Sequence, residues 1–375
     1  MINNLLATFG GVMSTIGYVL LAILILLVMI TIHELGHYIA GKIFKFKIDE
    51  FAIGFGPKLF SKTKKNGEVF SLRALPLGGF CAFHGEDEDE NQDKDTFNSH
   101  APWKRIIVLI SGALMNYLFA LIIIVISFSV YGDVALMTYK VQDYPVGYTV
   151  ENSFTDRDII LKAQGENVYL ITDLMDAVQG KKAGESVQFT IYRQGEVKTL
   201  NVKLRADAQF ENVEQTQALY DTLGIFYQLD ANGQIGQSGL YTTGVRYGVL
   251  QTLARSVEYS FKIASTVFTV LGQLLTGSLG LSAVGGTVTT VSVTATAIKT
   301  GGIRSLLSIA SFIGVNLAVF NLLPIPALDG SRVVFTAIEG IRKKPLNRKV
   351  EGIIHTVGLI LLMVFAILVD LQRCF

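Results

Sequence analysis

Three residues with metal chemistry stand within five positions, in the run His33-Glu34-Leu35-Gly36-His37. An α-helix turns about 100° per residue, so positions i and i+4 share a face one turn apart. Two imidazoles spaced this way can each offer a nitrogen to one cation. The carboxylate beside them is placed to take a proton from water activated there, which is metal-assisted hydrolysis. Gly36 keeps the helix surface open at that point. Catalytic zinc keeps three protein ligands and one open position, so a third ligand is required. Asp49 and Glu50 are near in sequence, but they stand in a basic, polar loop where solvated charge is the simpler reading. Asp329 is the better candidate. It ends the run Asn321-Leu322-Leu323-Pro324-Ile325-Pro326-Ala327-Leu328-Asp329, followed by Gly330. The two prolines cannot continue a regular helix, and the glycine permits a tight turn.

The elements that must position these residues are membrane helices. Half of the 375 residues are hydrophobic and 17% are charged, against about 25% charged in a soluble chain. The apolar runs at 20–32, 106–131, 306–325 and 353–369 each approach, with their flanks, the roughly 20 residues that cross a bilayer. Four spans are expected, at about 16–41, 106–131, 306–326 and 353–371. The first lacks a basic leader and a small-residue cleavage site, so it is expected to be retained. His33 precedes the first lysine, Lys42, by about 14 Å of helix, and three ionisable groups at that depth need a compensating cation. Irregular backbone such as the Pro324–Pro326 stretch is tolerated there only where protein buries it or water reaches it.

Lysine and arginine set the expected orientation. Residues 1–41 carry none, whereas the loop 42–105 and the segment 332–349 are rich in them. Both basic stretches are expected on the cytoplasmic side, with both termini and residues 132–303 outside and the active site toward the cytoplasm. A net charge of +1 gives no reason to expect a nucleic-acid partner. Cys81 and Cys374 form no metal or redox motif and fall on opposite sides, so no disulfide joins them. The acidic run at 86–90 reads as a solvated face, His84 and His100 as surface residues, and His355 as structural.

Two further segments accompany the metal motif and the Asp329 run: Ile53-Gly54-Phe55-Gly56-Pro57 and Leu75-Pro76-Leu77-Gly78-Gly79-Phe80. In this order, over nearly the whole chain, they resemble the site-2 protease family of intramembrane zinc metalloproteases, in particular its bacterial RseP-like branch with one PDZ domain. The resemblance implies a polytopic α-helical membrane protein of the bacterial cell membrane, with a cytoplasmic β-hairpin and an inserted extracytoplasmic α+β domain. It implies His33, His37 and Asp329 as ligands of one Zn2+ per chain and Glu34 as general base. Asn316 and Asn321 would line the substrate cleft. The alternating stretch 69–83, with Gly78 and Gly79 in its turn, would pair with an extended substrate strand, a general way to hold a peptide. The chain departs from the family pattern at Ala113, where proline is usual, at Ser331, and at Gly285-Gly286.

Residues 143–204 alternate as short strands around one helix and resemble a PDZ domain, which would take a peptide ligand. Residues 250–275 are interrupted by Arg255, Glu258 and Lys262, which suits an amphipathic helix lying at the bilayer interface better than a fifth span. The expected domains are therefore 1–131 and 304–375, two halves of a catalytic membrane core, with the PDZ-like region 143–204 and a linker 205–303 between them. The expected function is cleavage of single-span membrane proteins in or near their transmembrane segment, for example an anti-sigma factor or a remnant signal peptide. A non-catalytic membrane receptor or metal-binding protein acting through the PDZ-like domain is the alternative. A membrane-anchored zinc protease acting on soluble peptides is a second.

Overall fold

The computed structural model describes residues 2–86, 95–139, 152–210, 215–225, 239–277, 279 and 285–372. In chain order its elements are α1 (Ile2–Ile43), β1 (Ile48–Thr63), β2 (Val69–Phe83), α2 (Pro102–Tyr131), β3 (Asp133–Tyr139), β4 (Ile159–Ala163), β5 (Glu166–Asn167) and α3 (Ile171–Val178). There follow β6 (Ser186–Arg193), β7 (Glu196–Lys203), α4 (Thr216–Leu223), β8 (Gly239–Val245), α5 (Val249–Thr276), α6 (Thr287–Leu322), α7 (Asp329–Arg342) and α8 (Arg348–Gln372). Among the described residues four helices are long and apolar enough to cross a membrane, over Met13–Ile43, Pro102–Tyr131, Val288–Leu322 and Arg348–Leu371. That is the number expected. The helix α5 is not one of them.

The bounds of the third span differ from the expected 306–326. Helical structure reaches back to Thr287 but is divided at Gly302, so residues 287–301 form a helical segment of their own ahead of the expected span, where a linker was expected. The stretch is rich in threonine, serine and valine, which are indifferent helix formers. Its hydroxyls bond back one turn, as from Thr290 to the Gly286 carbonyl, Thr296 to Ser292 and Thr300 to Thr296, so they add no unsatisfied polar group. A break at Gly302, φ +61°, interrupts the helix. It ends at Leu322, which leaves Pro324 and Pro326 in a non-helical segment, 323–328, ahead of α7. The fourth helix begins at Arg348, five residues before the expected start.

The chain forms two compact units. One comprises Met1–Ile124, Ser260–Thr269 and Gly280–Phe375, and the other Val125–Tyr259 and Val270–Leu279. In the first, Ile25 and Met29 of α1 pack with Ile123 of α2 and Ile298, Ala310 and Ile313 of α6. Asp370 near the end of α8 accepts hydrogen bonds from the Val288 and Thr289 backbone at the start of α6, as a helix N-terminus favours. Phe46, Ile48, Phe83 and Phe97 cluster with Val108 and Leu109, seating the β1–β2 ribbon on α2. That ribbon is folded on itself. Residue Ile53 pairs both with Leu72 and with Gly79, so the two halves of β2 flank the same stretch of β1.

The second unit is built on an antiparallel sheet of order β7-β6-β4-β3-β8, with β5 paired to β4. The helices α3 and α4 cover its core of Phe154, Ile160, Leu174, Phe189, Ile191 and Leu219. The β6–β7 turn has Gln194 and Gly195 both at positive φ, +51° and +92°, as two-residue hairpins require. The sheet is wider than the expected 143–204 because β3 and β8 also belong to it. Buried Asp158 receives a two-pronged bond from Arg193, and buried Asp133 pairs with Arg255. The beginning of the expected region, 143–151, lies outside the described residues. So do 87–90 of the acidic run and Cys374.

Candidate metal centre

The helix α1 presents His33 and His37 one turn apart, and α7 presents Asp329 at its first residue. The His33 Nε2 atom lies 2.9 Å from Asp329 Oδ2, His37 Nε2 lies 3.2 Å from the same oxygen, and the two Nε2 atoms are 3.1 Å apart. Ligand atoms arranged tetrahedrally around zinc at its usual bond lengths stand about 3.3 Å from one another. The three donors therefore already have nearly the spacing a zinc ion imposes. The His37 tautomer agrees with that reading. The His37 Nδ1–H donates to the Val108 carbonyl at 2.8 Å, which leaves its Nε2 lone pair directed at the other two donors. The His33 Nδ1 sits 3.4 Å from the Asn321 amide, whose oxygen can accept its proton after a half-turn. Outer partners of this kind orient metal-binding imidazoles. Lone pairs converging on one point repel unless a cation lies among them. Among the described residues His33, His37 and Asp329 are the one trio of such groups within ligand distance.

Close helix approach builds the site. A methyl group at Gly36 would stand 2.3 Å from the Ser111 carbonyl oxygen, and one at Gly112 would stand 2.4 Å from His37 Nε2. Each helix thus carries a glycine where the other presses in, and α2 backs both imidazoles directly. On the other side, Ala327 takes a left-handed backbone, φ +78°, uncommon for a residue with a Cβ. Its N–H donates to His355 Nδ1 of α8 at 3.0 Å. One turn along α8, a methyl at Gly358 would meet Pro326 Cβ at 2.3 Å. The fourth span thereby grips the irregular segment two residues before Asp329. Sequence reading gave His355 only a structural part and gave Gly112 none, since neither is near the metal motif in the chain.

A cavity of about 310 Å³ adjoins the three donors, lined among others by Glu34, Gly78, Gly79, Asn116, Asn321 and Asp329. Gly79 brings β2 against Glu34, since a Cβ there would lie 3.4 Å from the glutamate's Cγ. The half of β2 from Gly79 to Phe83 pairs with β1 along one edge only among the described residues. Asn316 does not line this cavity. Five residues along a helix turn about 140° from Asn321, so the two asparagines face different ways. The alternative third ligands are engaged elsewhere: Asp49 with His84, and Glu50 with Ser71, Arg73 and Lys58. His100 stacks on Phe46 with ring centroids 4.0 Å apart.

The family model described as Peptidase family M50 matches residues 21–365. An inferred zinc metalloprotease of Clostridium perfringens is 33% identical, over 95% of this chain and 98% of the relative. The zinc metalloprotease RasP of Bacillus licheniformis is 29% identical, over 94% of this chain and 98% of its own length. The PDZ domain of an SdrC-like protein from Listeria monocytogenes aligns with 30% of this chain and 88% of its own, at 18% identity and a TM-score of 0.17. With a metal motif carried on a membrane helix and a family match over most of its length, the chain belongs to peptidase family M50, the site-2 protease family, and is an intramembrane zinc metalloprotease of the multi-pass membrane class.

Proposed function

We propose that the enzyme cleaves single-span membrane proteins, or remnant signal peptides, within or near their transmembrane segment, and that His33, His37 and Asp329 hold one zinc ion per chain. The observation that carries this reading is the convergence of three donor atoms, 2.9–3.2 Å apart, beside a cavity walled by Glu34 and by the open edge of β2. A helical peptide bond is shielded by its own turn, so the substrate must unwind before hydrolysis. The unwound stretch then has backbone N–H and C=O groups without partners, and the Gly79–Phe83 edge can pair with them as an added strand. Gly78, Gly79 and Asn321 line the cavity that this strand would enter.

When bound, zinc supplies a Lewis acid that polarises the scissile carbonyl and lowers the pKa of water. The Glu34 carboxylate accepts a proton from the attacking water as its oxygen bonds to the carbonyl carbon. It then delivers that proton to the departing nitrogen as the C–N bond breaks. The Val108 carbonyl keeps His37 in the tautomer that leaves Nε2 free. We place both termini and the β3–β8 sheet outside the cell and the metal centre toward the cytoplasm, on the distribution of lysine and arginine. The sheet unit, read as PDZ-like, would bind peptide there and screen substrates.

The test uses purified full-length enzyme in detergent or lipid with a transmembrane substrate. Glu34→Gln should retain zinc and lose at least about 10³-fold in cleavage, while His33→Ala should lose zinc as well. Normal cleavage by zinc-loaded Glu34→Gln would overturn the site. Equal cleavage of a water-soluble unstructured peptide would overturn the substrate class.

A further inference from the structure

Asn116 of α2 is fully buried, and neither its Oδ1 nor its Nδ2 has a hydrogen-bond partner. It lines the cavity beside the metal donors together with Glu34, Asn321 and Gly79. It stands four residues, or one turn, after Gly112, the position at which α2 presses on His33 and His37. The asparagine is thus carried on the face of α2 directed at the metal motif. An amide stripped of water and left unpaired loses its hydration with nothing in return. An apolar residue of similar size would avoid that cost, and the neighbouring positions Ala113 and Ala120 are apolar and buried. Uncompensated polarity in a buried wall of an active-site cavity is expected where a ligand supplies the missing partners.

The chemistry of the missing partner follows from the amide. It offers N–H donors and a carbonyl acceptor, the same complement as a peptide unit. A substrate unwound inside this cavity brings backbone N–H and C=O groups that have lost their helical partners and find little water. We propose that Asn116 is a substrate-binding residue, whose side-chain amide hydrogen-bonds the backbone of the cleaved peptide beside the scissile bond. This inference rests on the reading of the cavity as the active site. Asn116 meets the substrate from α2, and β2 meets it from the hairpin wall.

The experiment compares parent, Asn116→Leu, Asn116→Ala and Glu34→Gln in the full-length zinc-loaded enzyme, with a defined transmembrane substrate. Cleavage, zinc content and thermal midpoint are measured for each. Substrate affinity is measured separately in Glu34→Gln and in the Glu34→Gln, Asn116→Leu double variant. The expected result is a 10- to 100-fold fall in kcat/KM for both Asn116 variants, with zinc content kept and the midpoint unchanged or raised, and about tenfold weaker binding in the double variant. Leucine removes an unpaired amide at nearly constant volume, so a binding role predicts no loss of stability. Parent-like cleavage by either Asn116 variant, with Glu34→Gln inactive, would overturn the inference while leaving the active site in place. A lowered midpoint or lost zinc in both variants, in proportion to lost activity, would also overturn it by making Asn116 a packing residue. Full activity of Glu34→Gln would overturn the site and this inference together.

Discussion

Both units bury apolar cores, but they differ in what they leave exposed. In the sheet unit Phe154, Phe189 and Ile191 have no exposure, and the charged groups that go inside are paired, as in Asp158 with Arg193. In the helical unit Leu20 and Leu361 are more than 60% exposed, while His33, His37 and Asn116 are less than 10% exposed. Lipid explains the difference. A leucine gains little by leaving hydrocarbon, so helices associate there through close packing and polar contacts. In the sheet unit apolar periodicity therefore marks the core. In the helical unit apolar residues occupy core and surface alike, so a few buried polar positions stand out, and the candidate site residues are among them.

That contrast can be broken most sharply at Gly112. A side chain there must displace both imidazoles, so Gly112→Val should abolish zinc retention, read as metal content after purification, while the sheet unit keeps its strand signal. If zinc stays, the close α1–α2 approach is not what holds the site. The converse test is Phe189→Ala, which should destabilise the sheet unit by about 3–5 kcal/mol with zinc content unchanged. Thermal unfolding followed alongside metal content would decide, and a joint loss would mean the units are not separately built.

A smaller effect is expected at the clamp on α8. With His355→Ala the Ala327 N–H loses its acceptor, and zinc should bind about tenfold more weakly in chelator competition, in line with other outer-sphere changes. The Asn side chain can place its oxygen near the position of Nδ1, so His355→Asn should recover most of that loss. The smallest effect concerns the outer end of the hairpin. Burial acts to raise the Glu68 carboxyl, but hydrogen bonds from Lys42, Tyr38, Asn66 and Lys64 outweigh it and hold the group down at about 2. Its contribution to stability is complete above the unfolded value of about 4.3 and lost as pH falls through 2. The gap in thermal midpoint between parent and Glu68→Gln should be constant from pH 7 to 5 and close below pH 4. A gap that widens in acid would contradict the assigned pairing.

Much of the candidate metal site was legible because its logic is local. The spacing of His33 and His37 depends on one helical turn, and Asp329 follows a pair of prolines that have to interrupt a span. What the chain concealed depends on partners distant in sequence. Gly112 matters only because α2 crosses α1 at the imidazoles, and His355 only because α8 passes the segment before Asp329. Asn316 and Asn321 look alike in the sequence, but their 140° separation divides them. The start of α6 was hidden for another reason. Its threonines lower the apolar signal that marks a span, and their return bonds to backbone become evident only in the folded helix.

The seam between α1 and α2 limits how a substrate can arrive. Gly36 is pressed to the Ser111 carbonyl, and Val108 holds the proton of His37. A transmembrane helix is about 10 Å across, so passage through this side would part the two helices and pull apart the metal donors before any bond could be cut. Lateral entry through the α1–α2 seam is therefore incompatible with an assembled centre. On the proposed substrate class, a helix arriving from the lipid would have to enter along a different wall of the bundle and leave this seam closed.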